Sequence, residues 1–481
     1  MIALFSEPIY TEIAGFLTLL VTVITSIHVI LNKKNARSAF SWIGIIWLVP
    51  LLGAFLYIVF GINRIKRKAR ILRSGVTGIH EGAGIWGDPV VKDPLLFDDH
   101  ILNLSEMLGN VVNTSLLPGN HIVPLEGGDR AYHEMLKAIE TANDTINLST
   151  YIFDNDHAGA LFLEAFAEAR KRGVEIRVIV DDVGARYTFP PITRKLKDLG
   201  IRSVRFLPTA IPTRMPFINL RNHRKILVID GRVGFTGGMN IREGHMLSLN
   251  PKKPIKDIHF LVRGPVVRQM QQVFAEDWFF CTGEFLDGER WFPEPQLEGT
   301  IWARGIPDGP DEDFEKHLIT VQGALTTARE SVRIVTPYFL PESELISIIS
   351  IASLRGVKID IVLPGLNNIP IIKWASFNIL EQIINENCRV YLSPPPFDHS
   401  KIMIVDNAWS LIGSGNWDAR SFRLNFEFNI ECYDYKLAEH LSTIVDRKIK
   451  DATPLTPEIL NKRPLPIKIR DGLAFIFSPY L

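Results

Sequence analysis

The 481-residue sequence is poor in cysteine: Cys281, Cys388 and Cys432 are an odd number without metal-ligand spacing. That excludes a disulfide framework and a zinc site, and the three read as core thiols. Net charge is also missing, because 53 Lys plus Arg balance 53 Asp plus Glu. No global positive field can attract a nucleic-acid polyanion, so no nucleic-acid partner is expected and any anion site must be local. Clustered metal ligands are absent too, which points to chemistry without a metal or other cofactor. No basic residue precedes Ile13, only Glu7 and Glu12, so the apolar start does not read as a cleaved signal peptide. With 46% hydrophobic content, the chain can still build large cores over two or three domains.

The first seventy residues are apolar in long runs. "IAGFLTLLVTVITSIHVIL" covers Ile13 to Leu31 and "SAFSWIGIIWLVPLLGAFLYIVFG" covers Ser38 to Gly61, each long enough to cross a bilayer as a helix. The expected anchor is residues 1–73, with transmembrane helices at about 10–31 and 40–61 and Pro50 kinking the second. His28, Trp42 and Trp47 read as packing or interfacial residues. Lys33, Lys34 and Arg37 lie between the runs, and Arg64, Lys66, Arg67, Lys68, Arg70 and Arg73 follow them. The larger cluster favours a multi-pass membrane anchor with a cytoplasmic body. "SGVTGIHEGAGIWGDP" then reads as part of a linker over 74–119.

The body repeats itself. "INLSTYIFDNDHAGALFLEAFAEARKRGVEIRVIVDD" and "VRIVTPYFLPESELISIISIASLRGVKIDIVLPG" each run strand, helix, strand. Arg355 of the shared "RGV" follows Arg172 by 183 residues, and His399 follows His223 by 176. Such similar offsets predict an α/β fold of two tandem, pseudo-twofold domains, at 120–300 and 301–481.

The strongest signal is "NHRKILVIDGRVGFTGGMN" from Asn222, matched by "DHSKIMIVDNAWSLIGSGN" from Asp398. In both, His-x-Lys precedes four apolar residues suited to a buried strand, then Asp and a Gly-rich end in Asn. A hairpin centred between Gly231 and Arg232 would set His223 opposite Asn240, and the same construction sets His399 opposite Asn416. Strand alternation would put Lys225 beside His223 and Lys401 beside His399. The glycines at 237, 238, 413 and 415 would let a ligand approach the backbone. Lys as a point charge and Asn as a donor suit a phosphate oxyanion. Phosphodiester exchange needs a nucleophile on phosphorus and an acid for the departing alkoxide, and one imidazole per half supplies both through a covalent phosphoryl-histidine. Each ring needs an acceptor: Glu427 follows the second motif, and Asp257 is its first-copy counterpart. Asp230 and Asp406, at the strand ends, read as fixing the hairpins within the motif.

These residues resemble the HxKxxxxD signature of the phospholipase D superfamily. Together with "NARSAFSWIGIIWLVPLLGAFLYIVFG" and "TYIFDNDHAG", the chain resembles bacterial cardiolipin synthases of the two-span type over nearly its whole length. The resemblance implies phosphatidyl transfer between two phosphatidylglycerol molecules, with the bilayer as the other partner, giving cardiolipin and glycerol. It also implies His223 as nucleophile, His399 as general acid and then base, and Lys225, Lys401, Asn240 and Asn416 on the phosphoryl oxygens. The chain departs from the pattern at Gly-Gly-Met-Asn in the first copy and at Ile255-Lys256 before Asp257. A membrane-tethered hydrolase giving phosphatidic acid would carry the same residues. A noncatalytic phosphate-binding adaptor is the third reading, against which both complete motifs stand. Oligomeric state is not legible.

Overall fold

The computed structural model describes residues 6–33, 36–61, 97–112, 114–208, 220–311 and 313–478. The chain divides into two compact units, Met1–Lys68 and Ala69–Leu481.

In the first unit, Ser6–Asn32 forms one helix. Its stretch Tyr10–Asn32 has 23 residues and a mean hydropathy of 2.2, and among the described residues it alone is long and apolar enough to cross a membrane. At about 1.5 Å per residue it exceeds a hydrocarbon core of about 30 Å. Its hydroxyls are satisfied internally, as Thr22 and Ser26 each donate to the carbonyl four residues back at 2.8 Å. The second apolar run departs from expectation. It is not one helix over 40–61 but Ala36–Leu48 and Pro50–Leu56, followed by a π-turn at Tyr57–Gly61. Pro50 lacks an N–H and pushes Val49 out of the helical region, to φ −138° and ψ 75°. The bend is tight enough that a Cβ at Gly53 would lie 2.5 Å from the Ile45 carbonyl oxygen. His28 Nδ1 pairs with Tyr57 Oη at 3.0 Å, and Trp42 meets the Tyr57 ring edge-on at 5.5 Å. The basic flank from Arg64 and the Gly-rich stretch lie outside the described residues.

The expected linker 74–119 ends too late. Asp99–Gly109 is a helix whose Ile101, Leu104 and Leu108 are fully buried in the core of the second repeat, and a strand already starts at Leu117. The body proper is one twisted sheet. In the first repeat, Thr145–Thr150, Glu175–Asp181 and Arg202–Phe206 run parallel, and Ile226–Ile229, Val233–Gly237 and Ile258–Arg263 continue antiparallel. Ser331–Val335, Lys358–Pro364, Cys388–Ser393, Ile402–Val405, Trp409–Gly413 and Asn425–Tyr433 repeat that order in the second. The halves fuse where Leu117–Glu126 pairs antiparallel with Ile301–Asp308. The two tandem repeats share one continuous sheet, and a core cluster mixes Val228, Phe260 and Met270 with Ile404, Phe428 and Leu441.

Crossover helices follow from local signals. His157–Lys171 starts at Asp156, whose side chain accepts from Gly159 N–H, and buries Ala158, Phe162, Phe166 and Ala169 on one stripe. Gly173 ends it at φ 91°.

Candidate active site

Both histidines sit just before the buried strands, not on them. Short strand Arg221–Asn222 pairs parallel with Asn425–Phe426 of the other repeat, and His223 N–H donates to Phe426 O at 2.9 Å. Phe397–Asp398 likewise pairs with Ile255–Lys256, and His399 N–H donates to Lys256 O at 2.7 Å. Each histidine is thereby stitched to the residue preceding a carboxylate of the opposite repeat. His223 Nδ1 lies 2.9 Å from both oxygens of Glu427, and His399 Nδ1 lies 2.8 Å from Asp257 Oδ2. The within-repeat partnership read from sequence is therefore wrong: the carboxylates are exchanged across the pseudo-twofold axis. Arg224 reinforces the crossing, donating to Glu427 O at 3.0 Å and to Asp277 Oδ1 at 2.7 Å.

Both histidines and both asparagines line one cavity of about 220 Å³. Arg221, Arg242 and Arg420 join them along with Asp418, and Arg242 is paired with Asp154 at 3.0 Å. Lys225 and Lys401 donate to their own histidine's carbonyl at 2.6 Å, Lys401 Nζ also lies 3.1 and 3.2 Å from the His399 ring nitrogens, and neither lysine lines the cavity. Burial lowers Lys225 to about 7 and Lys401 to about 8. Burial also lowers His223 to about 4 and His399 well below its ordinary value, so both rings are neutral at pH 7.

The two carboxylates differ. Glu427 accepts from Ser414 Oγ at 2.6 Å, Ser421 Oγ at 3.0 Å and Asn425 Nδ2 at 3.1 Å besides His223. Burial works to raise its pKa, but His223, Lys225 and Ser414 bring it down to about 2. Asp257 has the Ile258 N–H at 2.7 Å besides His399, and burial lifts it to about 6.

The hairpin register is one residue out from the expectation. Ile226 pairs with Thr236 and Ile402 with Ile412. The cause is the turn: Asp230 and Gly231 are both left-handed, at φ 52° and 62°, and a third residue, Arg232, separates the paired Ile229 and Val233. Asn240 and Asn416 reach the cavity from beyond the ladder. Asn240 Oδ1 accepts the Ile152 N–H at 3.0 Å, which leaves its NH₂ as the cavity donor. Asn416 Nδ2 donates to Ser421 Oγ at 3.1 Å.

Asp230 and Asp406, counted with the catalytic motif, do not line the cavity. Asp230 clamps the N–H groups of Asn143, Asp144 and Thr145 at 2.8–2.9 Å, and Asp406 clamps Arg329, Glu330 and Ser331 at 2.7–2.9 Å. The glycines also do other work than expected. A Cβ at Gly238 would lie 2.4 Å from Asp257 Oδ1, and one at Gly415 would lie 2.6 Å from the His317 ring. They make room for buried side chains, not for a ligand.

Tyr151 and Tyr338 were missed. They meet His223 and His399 edge-on at 5.3 and 6.2 Å, and their equivalent places in "STYIF" and "TPYFL" were a readable signal. His245 was missed as well: it lines the cavity, is 1% exposed, and its Nδ1 has no hydrogen-bond partner among the described residues. Among the described residues no cluster of three or more His, Cys, Asp or Glu could hold a metal.

A duplicated α/β unit whose two His-x-Lys motifs set both histidines on one cavity is the arrangement of the phospholipase D superfamily. The family described as "Cardiolipin synthase, PLD-like domain" matches residues 135–278 and 321–449, and an N-terminal family described as "Phospholipase_D-nuclease N-terminal" matches 20–61. The chain belongs to the cardiolipin synthase, PLD-like family. It is 30% identical to a cardiolipin synthase of Geobacillus sp. over 94% of this chain and 90% of that one. It is 29% identical to cardiolipin synthase 1 of Staphylococcus epidermidis over 98% and 97%. The fold is similar to that of the phosphatidylserine synthase of Haemophilus influenzae, with a TM-score of 0.62 over 79% of this chain and 100% of that one at 14% identity.

Proposed function

We propose that this enzyme is a phosphatidyltransferase joining two phosphatidylglycerol molecules into cardiolipin with release of glycerol. The supporting observation is the crossed pair of imidazole–carboxylate units at one cavity, with Glu427 lowered to about 2 and Asp257 raised to about 6. His223 Nε2 attacks phosphorus, a P–N bond forms, and the bond to the glycerol oxygen breaks. The ring gains positive charge and keeps it while the phosphatidyl group is attached, which Glu427, held anionic by three further donors, stabilises. The substrate's phosphodiester anion and the Asp257 carboxylate 2.8 Å from Nδ1 draw a proton onto the otherwise neutral His399 ring on binding, and His399 delivers that proton to the departing glycerol oxygen. A hydroxyl of the second phosphatidylglycerol then returns its proton to His399 and attacks phosphorus, cleaving the P–N bond. Lys225, Lys401, Asn240 and Asn416 hold the non-bridging oxygens.

The cavity is smaller than the roughly 300–1,000 Å³ of sites that engulf a drug-sized ligand. It fits a headgroup, so the acyl chains stay outside it. The apolar helix Tyr10–Asn32 supports membrane attachment, and the basic residues after Gly61 favour a cytoplasmic body.

The test is product analysis after incubating the detergent-solubilised protein with phosphatidylglycerol alone, followed by alkaline quench and mass analysis of the His223 peptide. Cardiolipin plus glycerol, and a phosphatidyl adduct on His223 that accumulates in His399→Asn, are expected. Phosphatidic acid without cardiolipin would make the enzyme a hydrolase, and an adduct on His399 would reverse the assigned roles.

A further inference from the structure

The last described helix, Leu465–Ile476, packs one side and exposes the other. Asp471 and Ala474 face inward, and Asp471 Oδ2 accepts from Arg463 at 2.5 Å while Oδ1 accepts from Arg470 at 2.7 Å. Outward stand Leu465, Ile469, Leu473, Ile476 and Phe477, each between 54% and 69% exposed. At 3.6 residues per turn these five fall within an arc of about 120°, and Lys468 and Arg470 border it on its two sides. The Arg470 guanidinium lies 4.4 Å over the Trp374 ring and that of Arg463 lies 5.1 Å over Phe377. An apolar stripe edged by cations is the pattern of a helix lying in a membrane interface, where the charges meet anionic headgroups.

Its support is the helix Pro370–Ile383, with Ile372, Ala375 and Ile379 sharing a core cluster with Ala474. That same supporting helix delivers Ile372 to the catalytic cavity, and Ile369 just before it lines the cavity while 41% exposed. The cavity admits a headgroup but no acyl chain, so a lipid must be met at the bilayer surface.

We propose that Leu465–Phe477 docks its apolar face into the headgroup region of an anionic bilayer, bringing the cavity mouth to lipid still seated in the membrane. The proposal rests on the preceding reading only in taking the substrate to be a bilayer lipid.

The test uses the full chain in vesicles of phosphatidylglycerol and phosphatidylcholine, with Cys281→Ser and an environment-sensitive dye at Ile469→Cys or, as control, at the exposed Lys171→Cys. Nitroxide-bearing lipids should quench the dye at 469 about twofold or more over 171, increasingly so with more phosphatidylglycerol. The variant L465S/I469S/L473S should turn over vesicle phosphatidylglycerol about tenfold or more slowly, yet keep its rate on monomeric short-chain phosphatidylglycerol within about twofold. Equal quenching at both positions, or unchanged vesicle turnover in the triple variant, overturns docking. So does a dimer of the unsubstituted chain that the triple variant converts to monomer without quenching at 469, because a second copy then covers the stripe. Quenching at 469 with no turnover of either substrate supports docking and sinks the phosphatidyl-transfer reading alone.

Discussion

Replacing Glu427 with Gln removes one charge from a fully buried position while keeping its volume. An ionised carboxylate only accepts hydrogen bonds, and four side chains donate to this one. His223 Nδ1 is 2.9 Å from both oxygens, Ser414 Oγ is 2.6 Å from one, and Ser421 Oγ and Asn425 Nδ2 are 3.0 and 3.1 Å from the other. Gln offers one acceptor oxygen and one NH₂, so one side must set donor against donor. With its oxygen toward Ser421 and Asn425, its NH₂ meets Ser414, whose hydroxyl already accepts from Phe428 N–H at 3.0 Å. Hydrogen bonds to a charged group contribute about 1.5–3 kcal/mol and a stranded buried donor costs about 1–3 kcal/mol, so the expected loss of stability is about 2–4 kcal/mol. Electrostatics gives the same scale: lowering the carboxyl from 4.5 to about 2 corresponds to about 3 kcal/mol. Because the folded pKa is depressed, that stability is present above pH 4.5 and lost as pH falls through about 2. Turnover should fall about 10³–10⁴-fold, the scale of losing a carboxylate that fixes a catalytic imidazole's tautomer.

The assays are cardiolipin formation from phosphatidylglycerol and thermal unfolding of the body in detergent, the latter run as double-mutant cycles. Glu427→Gln should couple to His223→Ala by about 1–3 kcal/mol and to His399→Ala by less than about 0.5 kcal/mol. Coupling to His399 instead, or turnover within about tenfold of the unsubstituted enzyme, would refute the crossed arrangement.

Three further outcomes follow from the geometry. Burial depresses Lys225 to about 7 and Lys401 to about 8, so the free enzyme loses cationic charge as pH rises through that window. kcat/KM should decline correspondingly, and Lys401→Arg should shift the alkaline limb upward in a pH–rate profile if the charge at that position is what fails. Gly238→Ala would press a methyl to 2.4 Å from Asp257 Oδ1; a melt should show a loss of about 1–3 kcal/mol, with slower turnover as Asp257 leaves His399. Asp230→Ala removes the acceptor of three N–H groups outside the cavity, two of them exposed enough for water to replace it, so stability should fall by about 1–2 kcal/mol while turnover per folded molecule stays within about threefold; a hundredfold loss there would place Asp230 in the chemistry.

What could be read from the sequence was local, and what could not depended on partners far along the chain. The two His-x-Lys motifs and the strand–helix–strand units each declare themselves within about forty residues by spacing and apolar period. The helix Asp99–Gly109 was also locally encoded, since Ile101, Leu104, Ser105 and Leu108 are its buried stripe, but the Gly-rich stretch before it drew the whole region into a linker. The register error came from a third turn residue, Arg232, that no pairwise count anticipates. The exchanged carboxylates had no local signal at all. They depend on two-residue strands, Arg221–Asn222 on Asn425–Phe426 and Phe397–Asp398 on Ile255–Lys256, too short to carry a periodicity. Those two pairings decide what the duplication is for. A single repeat would present His223 without Glu427 or His399 without Asp257, and would expose half of the shared core of Val228, Phe260, Ile404 and Phe428. Neither half can orient its own imidazole, so the repeat makes one site from two incomplete ones.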